Sequence, residues 1–131
     1  MNLAQATITH IESTDSVNIV DFKISNQHMQ MVSLELKGSL TIGTQVTIAC
    51  KSTNIAIANS KSTSHTIPNQ IEIEILQIKD GKLLSSIIFD FEGNRWEAVV
   101  TRESFAKLNL LEGDRAIAML NVSELSIVER A

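Results

Sequence analysis

The 131-residue sequence contains few of the residues on which many small folds and sites depend. It has one cysteine, one proline, one tryptophan and no tyrosine. Because Cys50 is the only cysteine, the chain can form neither an intrachain disulfide framework nor a cysteine-based zinc cage, and a reducing compartment is the simpler expectation. With so few aromatic side chains, the core has to be built mainly from Ile, Val, Leu and Ala.

The sequence also lacks an excess of basic charge and any long apolar run. A net charge of -4 argues against a nucleic-acid backbone or an anionic membrane as the main partner, because both favour clustered Lys and Arg. No segment approaches the ~20 apolar residues of a membrane span, and the start MNLAQATITH lacks the features of a signal peptide. We therefore expect a soluble, cytoplasmic protein with no nucleic-acid or membrane partner.

Motifs of catalysis and metal binding are missing as well. The three histidines are scattered, without HExxH spacing or a cysteine partner, so no metal-cation site is predicted. The sequence contains no P-loop, no GxGxxG and no GxSxG nucleophile elbow. These absences predict a protein that is not an enzyme.

Alternation of apolar and polar residues is the dominant pattern that is present. Segments such as ATITHIES, VNIVDFKIS, IEIEILQI and RWEAVV alternate with period two, which is typical of half-buried strands. The stretches KDGK and EGN each place a glycine beside polar residues between two such segments, and so predict hairpins. The sequence therefore predicts a mostly β protein, with Trp96 and the phenylalanines in the core.

The sequence divides into two similar halves. Residues 59–66, NSKSTSHT, contain no large apolar residue, are followed closely by Pro68, and are interpreted as an exposed linker between a first repeat (1–58) and a second repeat (67–131). A repeat of this size buries too little surface to be stable alone, which predicts pairing within the chain and between chains. The pairs of equivalent positions are Asn2 with Asn69, Gly43 with Gly113, Cys50 with Leu120, and Ile55 with Leu125.

One short helix interrupts the strand pattern in the second repeat. The segment VVTRESFAKLNLLEG predicts a helix over residues 101–110, with Thr101 as its N-cap and Ser104 one turn later. Hydroxyls and unpaired amides at a helix start can hold an anion, although Thr101 could equally act only as a cap. The corresponding part of the first repeat, residues 29–43, is shorter and predicts a turn in place of the helix.

A second group of donors follows a strand in the first repeat. Lys51, Ser52 and Thr53 combine a positive charge with two hydroxyls, which together can bind an oxyanion, although a turn lysine is usually only solvated. The equivalent segment of the second repeat has Asn121 at the lysine position, followed by Ser123 and then an acidic residue. The two repeats therefore differ in charge at this turn.

These segments resemble the repeat of the molybdopterin-binding-protein (Mop, or molbindin) domains, in the transport-associated oligonucleotide-binding-like group. The family repeat starts with a Ser-Ala-Arg-Asn-like segment, continues with Ile-Thr-x-x-Ser and Leu-Gly-Leu-x-x-Gly, and ends in Lys-Ala-Ser-Ser-Val. VTRES and LNLLEG resemble its middle in the second repeat, and CKSTNI resembles its end in the first. The resemblance covers nearly the whole chain and implies two tandem five-stranded, oligonucleotide-binding-like barrel units with one short helix in the second repeat.

The resemblance also implies a function. Mop domains bind molybdate or tungstate, and tandem pairs resemble cytoplasmic storage proteins that assemble as trimers, so a homo-oligomer (a trimer or a dimer) is expected here. The oxyanion-binding residues that it implies are Thr101, Ser104, Lys51, Thr53, Ser52 and Ser123. Neither Asn2 nor Asn69 is preceded by the family's arginine. The alternative is therefore a non-enzymatic sensor or interaction module that keeps the fold and binds the oxyanion weakly or not at all.

Overall fold

The computed structural model describes residues 1–34 and 40–130, with residues 129 and 130 described by their backbone alone. The strands are β1 (Asn2–Ser13), β2 (Asn18–Ile24), β3 (Gln27–Ser33), β4 (Gln45–Cys50), β5 (Ala56–Ala58), β6 (Asn69–Asp80), β7 (Leu84–Phe91), β8 (Asn94–Thr101), β9 (Arg115–Leu120) and β10 (Ser126–Arg130). Two 3₁₀ turns and a short helix connect them: η1 (Ser52–Asn54), η2 (Val122–Glu124) and α1 (Arg102–Ala106).

The strands form two antiparallel five-stranded sheets, which confirms the predicted fold class. The first sheet has the order β10-β4-β1-β2-β3 and the second the order β5-β9-β6-β7-β8. Strand β6 shows why the sequence folds in this way, since Ile71, Ile73 and Ile75 are buried while Glu72 and Glu74 between them are exposed. Side chains of successive residues point to opposite faces of a strand, so an alternating sequence buries one face.

The two sheets exchange their last strands. β5 follows the first four strands in sequence but pairs with β9 in the second sheet. β10, from the end of the chain, pairs with β4 in the first sheet. Each sheet is therefore completed by a strand from the other sequence repeat, so the sheets do not coincide with the limits 1–58 and 67–131. Those limits remain a prediction about the sequence repeats.

Equivalent turns recur in the two halves with the same hydrogen bonds. Gly43 and Gly113 have φ values of 93° and 92°, in the left-handed region that glycine adopts without strain. Their amides donate to the carbonyls of Ile8 and Ile75 respectively, at 2.7 Å in both cases. Both acceptors lie at irregularities of register in β1 and β6. The predicted equivalence of the two glycines thus has a local structural counterpart.

The predicted hairpins and aromatic core are also present. β7 and β8 are joined by Glu92 and Gly93, which both have positive φ, as a type I′ turn requires. Trp96 is 1% exposed and lies edge-on to Phe91, with ring centroids 5.1 Å apart. Phe105 from α1 is buried against the same core. These side chains anchor the second sheet and the short helix.

The helix is shorter than the predicted 101–110. α1 ends at Ala106, because the chain then tightens into bonds of the i to i+3 type, from Leu108 N to Phe105 O and from Asn109 N to Ala106 O. Asn109 has a φ of 55°, which stops the helix. The turn expected in place of this helix in the first repeat was predicted within residues 29–43, of which residues 35–39 lie outside the described residues. Within the described ranges, no helix is long and apolar enough to cross a membrane.

Candidate functional site

Two 3₁₀ turns at equivalent positions form the centre of the candidate site. η1 follows β4 and η2 follows β9, and each begins after an extended residue, Lys51 or Asn121. Both turns close through a 3.0 Å bond from the amide of their last residue to the carbonyl of that extended residue. The Asn121 side chain accepts from the Val122 amide, whereas the Lys51 side chain makes no capping bond. The two turns thus share a backbone conformation but differ in the side chain that precedes each of them.

The two turns meet at the junction between the repeats. Asn54 Nδ2 donates to Glu124 Oε2 at 2.7 Å, across 70 residues of sequence, and these two residues end η1 and η2 respectively. In addition, η1 packs against β8 and η2 packs against β3, which are equivalent strands of the two halves. Reciprocal contacts between equivalent parts are what an approximate two-fold axis produces. The axis therefore passes between the turns.

A cavity of about 200 Å³ opens at this junction. Its polar lining comes from both repeats, with Lys51 and Asn54 on one side and Ser123, Glu124 and Ser126 on the other. Since a water molecule takes about 30 Å³ in the liquid, the cavity has room for roughly six waters, or for one small ion with some of its hydration. Two of the predicted oxyanion residues, Lys51 and Ser123, are therefore brought together by the fold.

The charges around this junction cavity are mixed. Lys51 is exposed, and among the described side chains no carboxylate oxygen lies within 4.0 Å of its ammonium. Asn54 and the serine hydroxyls add neutral hydrogen-bonding groups, and Ser126 Oγ also donates to the Ala49 carbonyl at 3.4 Å. Glu124 adds a negative charge. The cavity can hold a small anion, with part of the lysine charge offset by the glutamate.

Ser52 and Thr53, which follow Lys51 and were also predicted to bind the oxyanion, do not line this cavity. Ser52 Oγ donates to Glu97 Oε1 at 3.1 Å, so its hydroxyl ties the turn to β8. Thr53 is exposed.

Glu97 also accepts a hydrogen bond from the Ser86 hydroxyl. The bond from Ser86 is the main cause of a lowered pKa of Glu97, against the opposing effect of burial, and the Ser52 bond lowers it further. Glu97 is therefore ionised at neutral pH.

The asparagines that open the repeats link the two halves. Asn2 Nδ2 donates to the Glu97 carbonyl at 2.8 Å, and the Glu97 amide donates to Asn2 Oδ1 at 2.7 Å. Asn69 makes the same pair of bonds with the backbone of Gln30, at 2.8 and 2.6 Å. Both asparagines are almost completely buried. The sequence comparison paired them, but their role as reciprocal links became evident only from the contacts.

Thr101 and Ser104 lie at the start of α1, as predicted, but away from η1. Thr101 Oγ1 accepts from the Ser104 amide at 3.3 Å, and the Arg102 amide donates to the Leu83 carbonyl at 2.9 Å. Thr101 follows Glu97 by four residues on β8, a separation of about 13 Å along a strand. Since Ser52 contacts Glu97, the helix start and η1 meet β8 at different points along the strand.

Cys50 lies at the wall of the junction cavity but is not a reactive thiol. Its side chain is buried, with Asn2 Nδ2 at 4.0 Å from Sγ. Burial raises the pKa of Cys50 to about 11, so the thiol stays protonated at neutral pH. Among the residues with described placement, no cluster of His, Cys, Asp and Glu could hold a metal ion.

Sequence reasoning missed Asn54, Glu124 and Ser126 as lining residues. All three adjoin predicted residues in the sequence, and the equivalence of Asn54 with Glu124 follows from the alignment of the repeats. The missing information was that the two turns face each other. That arrangement depends on the exchange of β5 and β10, which the sequence pattern does not encode locally.

Comparison with known proteins relates this fold to molybdate-binding proteins. The chain is similar to the cytoplasmic molybdate-binding protein ModG in a form with molybdate bound, with a TM-score of 0.83 and 19% identity over 96% of this chain and 94% of that one. A molybdate-binding protein from Sporomusa ovata matches 51% of this chain over its own full length, with 25% identity and a TM-score of 0.49. The sequence matches no protein-family model and no curated protein. The ModG likeness confirms the fold that the Mop resemblance implies.

Proposed function

We propose that this protein binds molybdate or tungstate and serves as a non-enzymatic, cytoplasmic protein for storage or buffering of the oxyanion. The observation that carries the proposal is the junction cavity, in which Lys51 from one repeat and Ser123 from the other face the same space. The fold supports it, since ModG is a cytoplasmic molybdate-binding protein of the same architecture over nearly its whole length.

The chemistry of the cavity suits a tetrahedral oxyanion. Such an ion offers only acceptor oxygens, which require N–H and O–H donors around them. Lys51 supplies a charge-assisted hydrogen bond, and the hydroxyl of Ser123 and the amide of Asn54 supply neutral ones. A site of this kind needs no large basic patch, in agreement with the net charge of -4.

We further propose a second kind of oxyanion site, formed between chains of a homo-oligomer, either a trimer or a dimer. Thr101 and Ser104 would supply donors from one chain, and Thr53 with Ser52 would supply donors from another. Exposed apolar side chains beside the helix support a contact there, since Leu83 is 80% exposed, Leu84 53% and Leu111 69%. Covering these leucines would remove apolar surface from water.

Titration calorimetry with molybdate, with sulfate as a control of equal charge, tests the first proposal. Lys51→Ala should weaken molybdate binding about tenfold to a hundredfold, the equivalent of a charge-assisted hydrogen bond of about 1.5–3 kcal/mol. Lys23→Ala removes an equal charge from an exposed position on β2 and should leave the affinity unchanged. Equal affinities of the parent and Lys51→Ala would exclude the junction cavity as the site.

The site between chains has its own test. Thr101→Val should reduce the number of oxyanions bound per chain while the junction cavity keeps its affinity. Because the variant also loses a helix cap worth about 1 kcal/mol, its melting temperature has to be measured beside the stoichiometry. Light scattering supplies the mass, and a monomer at micromolar concentration would exclude this second kind of site.

A second candidate function is an interaction module that keeps the fold without binding an oxyanion. The observation that favours it is the state of the predicted donors, since the Ser52 hydroxyl is bonded to ionised Glu97 and Thr101 is engaged as a cap. Absence of molybdate and tungstate binding by the parent protein would favour this alternative.

A further inference from the structure

The junction cavity combines two equivalent turns that carry different charges. Lys51, directly before η1, corresponds to Asn121, directly before η2, and Glu124 at the end of η2 corresponds to Asn54 at the end of η1. One turn therefore contributes a positive charge and the other a negative charge to the same cavity. An ion in the cavity experiences both.

The Glu124 carboxylate is held beside the cavity. Asn54 Nδ2 donates to its Oε2 at 2.7 Å, and the Glu124 amide donates to the Asn121 carbonyl at 3.0 Å, which fixes the backbone of the turn. Both Asn54 and Glu124 line the cavity. Glu124 is exposed, so its negative charge lies at the solvent-accessible wall of the cavity. Its direct partner is the neutral amide of Asn54, and Lys51 lines the same cavity.

We propose that Glu124 is a specificity-determining residue, whose carboxylate offsets the Lys51 charge and makes the cavity discriminate against dianions relative to monoanions of the same shape. The inference rests on the proposed oxyanion site. Coulomb energy is proportional to the charge of the ligand, so a fixed negative charge costs a dianion twice as much free energy as a monoanion at the same position. Glu124 keeps the binding of a dianion weaker, and hence more readily reversible, than Lys51 alone would make it.

Tungstate and perrhenate are suitable probes, because both are tetrahedral oxyanions of similar size, with charges of -2 and -1. Glu124→Gln removes the charge and keeps an oxygen that can accept from Asn54. Its matched control is Glu12→Gln, at an exposed position near the end of β1, which changes the net charge equally. Calorimetry at pH 7.5 and constant ionic strength gives the dissociation constants of both ions for the parent and both variants.

Removal of the Glu124 charge should raise the logarithm of the tungstate affinity by twice as much as the logarithm of the perrhenate affinity. If Glu124→Gln tightens tungstate binding about tenfold, perrhenate binding should tighten only about threefold, because the repulsion scales with ligand charge. Glu12→Gln should leave both constants unchanged.

Two results would overturn the inference in distinguishable ways. Equal gains for both ions, or no gain for either, with tungstate still bound by the parent, would refute the role of Glu124 and leave the proposed function intact. No tungstate binding by either the parent or Glu124→Gln would overturn the inference together with the proposed oxyanion function.

Discussion

The buried amide of Asn69 offers a quantitative test of how the two halves are held together. Its side chain is 1% exposed and makes two hydrogen bonds to the backbone of Gln30, at 2.6 and 2.8 Å. Asn69→Ala removes both partners and leaves the Gln30 N–H and C=O unpaired. An unsatisfied buried polar group costs about 1–3 kcal/mol. Because Gln30 is only half-buried and water can reach it in part, we expect a loss of about 2–4 kcal/mol.

Thermal denaturation followed by circular dichroism measures this loss. For a chain of this size, 1 kcal/mol corresponds to about 4 °C in melting temperature, so the expected decrease is about 8–16 °C. Asn59→Ala, at an exposed position between β5 and β6, is the matched control and should change the melting temperature by less than about 2 °C. A similarly small decrease for Asn69→Ala would show that water replaces the amide, and would refute its role as a link between the halves.

Two further predictions follow from the pKa shifts. The hydrogen bond from Ser86 holds the pKa of Glu97 below its ordinary value, so the stabilisation by the ionised carboxylate is present above that ordinary value and is lost as the pH falls through the folded-state pKa. The difference in free energy of unfolding between the parent and Glu97→Gln, measured with urea, should therefore shrink from pH 7 to pH 3, and a constant difference would contradict this prediction. The Cys50 thiol, with its pKa raised to about 11, should react with a disulfide reagent at pH 8 only after unfolding, and rapid labelling of the native protein would contradict its burial.

The fold was largely predictable because its strands carry a local signal. In β6, alternation of Ile and Glu predicts one buried face, and the polar residues with glycine before β7 predict the hairpin. The helix end was wrong by four residues, since Asn109 adopts a positive φ that propensity alone does not indicate. Strand boundaries and turn types depend on a few neighbouring residues, which explains why they can be inferred from one sequence.

The site was predictable only in part because it depends on contacts far apart in sequence. Lys51 and Ser123 were identified from the resemblance, and they do line one cavity. The hydrogen bond of Ser52 to Glu97 spans 45 residues, so the sequence did not indicate it. Thr101 and Ser104 proved to be local partners in a helix cap. Which side chains face each other is decided by the exchange of strands between the sheets.

That exchange has a consequence for how the two repeats can diverge. Two identical subunits, each a single repeat and both copies of one encoded chain, would present two identical turns to their junction, so any substitution would appear on both sides at once. Covalent fusion removes this constraint, because each half now carries its own copy of every position while the shared strands keep the halves together. A lysine at residue 51 can then coexist with an asparagine at residue 121, and an asparagine at residue 54 with a glutamate at residue 124. The fused chain can therefore build one asymmetric pocket on a symmetric framework, which a homodimer of single repeats cannot encode.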